Sequence, residues 1–267
     1  MSRVLVFVLT FLFPFVLTAQ GFENVKKDFR NLGSAKKFFG NTYVLIIFVS
    51  EEGSPAWTKD GISNTYTLIR GAFSWLKECS SAYGVKTEFS LYVLGDKQGI
   101  VMTNPAKGPF EGDNSNSMIK NAMLAAGYTA GFDFFEYAQS KTSCDNCMVY
   151  VCCNFSGRNY ALSQNREIYN YNKKYGYNPV QLEGCVLYNG GKLSSPSVAH
   201  ETLHLFGAVD LYDVYGDKKI AESTALRFPN SIMHRVDNTF GNLEIDSLTA
   251  FLTGLTNKYE SWFAEFF

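Results

Sequence analysis

The chain has 267 residues, with 24 basic against 25 acidic side chains and a formal charge of −1. So even a balance excludes the basic footprint of a nucleic-acid binder or of a protein held to anionic membrane, and the pairs Lys26-Lys27, Lys36-Lys37 and Lys173-Lys174 read as solvated surface. With 46% hydrophobic and 16% aromatic residues, the chain can bury one large core, and its length fits a single domain behind a leader.

The leader is the first element. Arg3 supplies a positive start, Val4 to Leu17 is apolar except for Thr10 and Pro14, and Thr18-Ala19-Gln20-Gly21 supplies small residues for cleavage. This pattern predicts a signal peptide over residues 1–19, cut after Ala19 or, as second choice, after Gly21. The run is short for a membrane span and Pro14 interrupts it, so no anchor is expected to remain. The expected destination is secreted or periplasmic. Residues 20–41 are polar and read as a lead-in to a domain over 42–267.

Residues 42–50 form a continuous β-prone apolar run, which suits a strand covered on both faces. Residues 61–82 carry Leu68, Ala72, Trp75 and Leu76 on one helical stripe. Residues 88–94 predict a second strand. A single long helix is expected over 115–140, despite Gly127 and Gly131. Strands are expected at 148–155 and 184–189, then a helix opened by Ser195 as N-cap with Pro196 in its first turn. A last helix is expected over 243–264. Strands alternating with helices predict an α/β fold with a mostly parallel sheet.

The six cysteines are Cys79, Cys144, Cys147, Cys152, Cys153 and Cys185. In an exported protein an even count predicts disulfides, although buried thiols are the other reading. Cys152 and Cys153 are adjacent on a strand, so their side chains point to opposite faces and do not join one site. Cys144-x-x-Cys147 lacks the second pair that a zinc knuckle needs.

The chemistry concentrates at residues 200–210. Two of the three histidines stand in His200-Glu201-Thr202-Leu203-His204, followed by Gly207 and Asp210. On a helix, positions i and i+4 share a face, so both imidazoles can reach one metal ion. Glu201 lies about 100° further round, where it can address a metal-bound water without binding the metal. Imidazole nitrogen and carboxylate oxygen suit Zn2+. A catalytic zinc needs a third protein ligand and one open position. Gly207 allows the chain to turn back and bring Asp210 to the ion. Asp213 and Glu222 are competing carboxylates at a less suitable spacing. Phe206 and Tyr212 can line the cleft or pack in the core.

The run from His200 to Asp210 resembles the long zinc signature of metzincin metallopeptidases, in the minority form with aspartate as third ligand found in snapalysin-like enzymes. Ser231-Ile232-Met233-His234 is similar to the family's Met-turn. The resemblance implies a twisted, mostly parallel sheet with an antiparallel edge strand, an active-site helix and a small C-terminal helical subdomain. It implies that Met233 lies beneath the metal without touching it. It also implies that the strand before the metal helix, here Val186, Leu187 and Tyr188, is the edge that binds extended substrate. Astacin-like and serralysin-like members carry a tyrosine two residues after the methionine. Arg235 stands there, so that tyrosine's role is excluded.

The expected function is therefore that of a monomeric, secreted zinc endopeptidase acting on protein or peptide substrates. His200, His204 and Asp210 would hold the ion, and Glu201 would be the general base. Two other classes fit the same residues: a non-catalytic zinc-binding interaction module, and a zinc hydrolase of a non-peptide amide or ester.

Overall fold

The apolar run at residues 42–50 is buried without a break and forms the spine of the sheet. In the computed structural model, which describes residues 34–35, 37–103, 117–129, 134–163, 183–190, 193–212 and 218–266, it lies within strand β1 (Gly40–Glu51). The elements that follow are α1 (Lys59–Ala82), β2 (Thr87–Leu94), β3 (Ile100–Met102), α2 (Ser117–Ala125), α3 (Phe134–Thr142), β4 (Asn146–Cys153), β5 (Tyr160–Leu162) and β6 (Gly184–Tyr188). Then come α4 (Ser195–Leu205), α5 (Lys218–Arg227), α6 (Ser247–Thr253) and a 3-10 turn at Ser261–Phe266. The fold is mixed α/β, with six strands and six α-helices among the described residues. The expected signal peptide lies outside those residues. No described helix is long and apolar enough to cross a membrane.

Sheet order is β2-β1-β4-β6-β5, with β3 also paired to β1. All pairings are parallel except that of β5 with β6. Successive residues of β1 feed opposite faces, as strand geometry requires. Val44, Ile46 and Phe48 enter a core shared with α1, α4 and the C-terminal elements. Tyr43, Leu45, Ile47 and Val49 enter a second core under α2 and α3. Each fully buried Leu, Ile or Phe contributes about 1.5–3 kcal/mol, so the two layers fix the sheet from both sides.

Several elements differ from the sequence-based expectation. The long helix over 115–140 is two helices. Gly127 takes φ +92°, and the amides of Gly127 and Tyr128 bond the carbonyls of Leu124 and Met123. That is a Schellman closure, and it terminates α2. The last helix is also divided. Residues 243–246 are not helical, because Glu244 bridges back to the 230–232 segment: Ile232 N donates to Glu244 O at 3.0 Å and Glu244 N to Asn230 O at 2.9 Å. Asp246 then caps α6. Leu248, Ala250, Phe251 and Phe263 share the first core with α4.

The described end of the lead-in, residues 37–41, packs on the domain as well. Phe38 is fully buried, stacks on Phe206 at 4.8 Å, and its amide bonds Thr253 O. The strand expected as the substrate edge is not the outermost of the sheet. Strand β6 lies between β4 and β5, with Gly184, Cys185 and Val186 paired on both sides, and Val186, Leu187 and Tyr188 are fully buried. The antiparallel outer strand is β5, three residues long and inconspicuous in the sequence.

All six cysteines are free thiols, five buried and Cys79 partly so. The disulfide expectation is corrected: these side chains pack as small hydrophobes, three against each core, with no pair bridged. Cys152 and Cys153 do point to opposite faces, one into each core. Burial pushes the Cys79 thiol up to about 12, so it is no ready thiolate. Denatured without reductant, the protein should titrate six thiols with Ellman's reagent, and a shortfall of two would reveal a bridge.

Candidate metal centre

Helix α4 is held from three directions before it presents any ligand. Ser194 is its N-cap, one residue earlier than the sequence suggests. Its Oγ accepts from Ser197 N at 3.2 Å, while Ser197 Oγ accepts from Ser194 N at 2.9 Å. This reciprocal box satisfies two otherwise orphaned amides, and an alanine at the cap would cost about 1 kcal/mol. Ser195 Oγ donates to Leu68 O at 2.9 Å on α1. The helices approach so closely that a Cβ on Gly71 would sit 2.7 Å from that hydroxyl. On the sheet side, Tyr150 Oη and Thr202 Oγ1 share a hydrogen bond of 2.6 Å.

The helix ends at Leu205, and Gly207 at φ +100° reverses the chain. Ala208 N bonds Leu203 O and Gly207 N bonds His204 O, the same closure as at Gly127. The reversal carries residues 208–210 back along the helix face. Ala208 O then lies 3.0 Å from His204 Nδ1, and Ile232 O lies 2.8 Å from His200 Nδ1.

These two contacts fix the tautomers. A carbonyl oxygen only accepts, so each Nδ1 carries the hydrogen and each neutral ring turns the lone pair of Nε2 inward. The two Nε2 atoms are 3.2 Å apart, and Asp210 Oδ1 is 3.1 Å from both. That oxygen is buried and takes no aligned hydrogen bond among the described residues. Three electron-pair donors thus form a nearly equilateral triangle. A tetrahedral zinc with bonds of 2.0–2.1 Å has donor–donor edges of about 3.3 Å, so these residues fit such an ion. His200 is 5% exposed at its side chain, whereas His204 is 16% and Asp210 31% exposed. The triangle therefore opens to solvent on the Asp210 side.

The electrostatics agree with a cation site. Although burial opposes its charged form, the Asp210 carboxylate pushes the His204 imidazole up to about 9, with Glu201 assisting. Against its own burial, Asp210 is held well below the usual carboxylate range by His200 and His204.

Glu201 is half-buried, and its charge acts on His204, on Tyr212 and, from below, on Cys185. The sequence places Tyr212 either along the cleft or in the core. It is exposed at the rim, its ring parallel to that of His200 at 6.4 Å, and burial and the Asp210 carboxylate push its phenol up. Met233 is fully buried, and its carbonyl accepts from Leu211 N at 2.9 Å. His234 and Glu222 are outside the triangle, and Asp213 lies outside the described residues. Arg235 pairs with Asp237 at the surface. What sequence reasoning missed is the support: the carbonyls of Ile232 and Ala208 leave no signature in side-chain spacing.

Comparison with known proteins gives no matching family model, no matching curated protein and no matching solved structure.

Below about pH 9, a metal ion entering the triangle would have to displace the His204 proton. Zinc affinity should therefore rise by about tenfold per pH unit through neutrality and level off above about 9, with one proton released per ion. Calorimetry in buffers of different ionisation enthalpy measures both. An affinity independent of pH from 6 to 9 would contradict the assignment.

Proposed function

We propose that this protein is a zinc-dependent endopeptidase with a metzincin-type centre, exported by its N-terminal segment. The observation that carries the reading is the convergence of His200 Nε2, His204 Nε2 and Asp210 Oδ1 within 3.2 Å, with Glu201 on the same helix. A zinc ion there would polarise a scissile carbonyl and acidify water beside it.

The protein's own residues divide the remaining work. His200, His204 and Asp210 would hold the ion. Glu201, free of ligand duty, would accept a proton from the attacking water and later deliver it to the leaving amine. A structural site has no use for such a carboxylate beside an open direction, and this favours chemistry over a non-catalytic module. The resemblance of residues 200–210 and 231–234 to the metzincin signature supports a protein or peptide as substrate. Met233 would floor the site, and a glutamate there would bury an unpaired charge.

Purified protein should cleave members of a broad peptide library, lose that activity to chelator and regain it with zinc. Glu201→Ala should retain zinc but lose at least ~10²-fold in rate, the lower range for a general base. Cleavage by this variant at the wild-type rate would refute the mechanism. Zinc binding without cleavage of any peptide would favour the interaction module.

Removing Asp210 tests the ligand set separately. Asp210→Ala should weaken zinc binding by roughly tenfold or more, at least the loss typical of groups supporting a ligand. Competition with a chromophoric chelator reads it, and unchanged affinity would remove Asp210 from the set.

A further inference from the structure

We propose that Asp246 is a positioning residue for the metal centre, acting through Ser231 and the turn at residues 231–234. The inference rests on the reading of His200, His204 and Asp210 as metal ligands.

Asp246 is buried and caps α6. A cap needs one acceptor, and Oδ1 provides it, accepting from Thr249 N at 2.9 Å. Asparagine or serine would serve equally well there. The second oxygen has other work. Oδ2 accepts from Thr249 Oγ1 and from Ser231 Oγ, both at 2.6 Å. Hydrogen bonds to an ionised acceptor are short and roughly twice as strong as neutral ones.

The bond to Ser231 has a direction. Its hydroxyl hydrogen is spent on Asp246, so the Ser231 oxygen is free to accept from Met233 N, at 3.1 Å. His234 N and Arg235 N both donate to Ser231 O. The turn is therefore wound around one buried serine that a carboxylate orients. Its two inner carbonyls reach the metal centre. Ile232 O takes His200 Nδ1 at 2.8 Å, and Met233 O takes Leu211 N at 2.9 Å, next to Asp210. Two of the three donors thus depend on this turn. The third does not, because His204 is held by Ala208 O within its own loop.

Ligand precision is where such support matters. Partners behind a ligand typically change metal affinity by 10–100-fold. A merely stabilising role for Asp246 would make all of its hydrogen bonds equivalent. The positioning role makes them unequal, and only those leading through Ser231 affect the metal.

The test compares three variants of the full protein: Asp246→Asn, Ser231→Ala and Thr249→Val. Cobalt(II) is the probe, read by its visible ligand-field bands and by competition for affinity, with thermal melting of each apoprotein alongside. Asp246→Asn and Ser231→Ala should weaken cobalt binding by about tenfold and alter the bands. Thr249→Val, which removes a bond to the same carboxylate on the α6 side, should lower Tm yet keep affinity within about twofold, below the effect of a ligand-supporting group. Should Asp246→Asn not fold, Ser231→Ala decides, since it leaves the α6 cap intact. Wild-type affinity and bands in Ser231→Ala would overturn the inference alone, as would losses that follow Tm in all three. Failure of the wild-type protein to bind cobalt would overturn the metal reading and this inference together.

Discussion

Three electron-pair donors meet within 3.2 Å, and both imidazoles have already spent their N–H groups on backbone carbonyls. With both rings neutral no group at that point donates, so the arrangement is favourable only around a positive charge, whether the His204 proton or a metal ion. Much of the surrounding structure serves to hold these atoms in place against their mutual repulsion. The buried box at Ser194, the Tyr150–Thr202 bond and the close approach at Gly71 fix the helix. The reversal at Gly207 and the turn at 231–234 fix the ring orientations and the returning chain. Orientation at this level matters because metal affinity falls steeply when a ligand is left free to rotate.

The parts of the support are economical. One loop closure both ends α4 and delivers the Ala208 carbonyl to His204. One turn holds His200 through Ile232 and the chain beside Asp210 through Met233. The bridge between Glu244 and residues 230–232 joins that turn to the C-terminal segment, whose apolar residues enter the same core as α4. Packing and chemistry are thereby linked. A cavity opened near Leu203 or Phe251 would cost about 2–5 kcal/mol, and the three donor residues would lose their backing along with the core.

Legibility from the sequence followed the length scale of the signal. The run at 42–50 and the stripe at 61–82 are long and periodic, so their elements could be placed. The i, i+4 histidines and the glycine three residues beyond are also local features, and His200, His204 and Asp210 come together as that spacing implies. What escaped depends on contacts between distant segments. Residues 243–246 look helical alone and become a bridge only because residues 230–232 lie opposite. Strand β5 has three residues, too few for alternation to show. Phe38 falls at the end of a segment that reads as a polar lead-in, yet Phe206 and Thr253 draw it into the core. The thiols follow the same rule: an even count suggests pairing, but the folds of the sheet keep them apart.

Zinc K-edge X-ray absorption of the protein loaded with one equivalent of metal tests the central claim most directly. The account predicts a shell of nitrogen and oxygen only, with two imidazoles at about 2.0–2.1 Å and carboxylate oxygen at about 2.0–2.2 Å. A sulfur scatterer at about 2.3 Å would mean that the cysteines bind the ion. A single imidazole would mean that His200 and His204 do not act together. Either result would contradict the account.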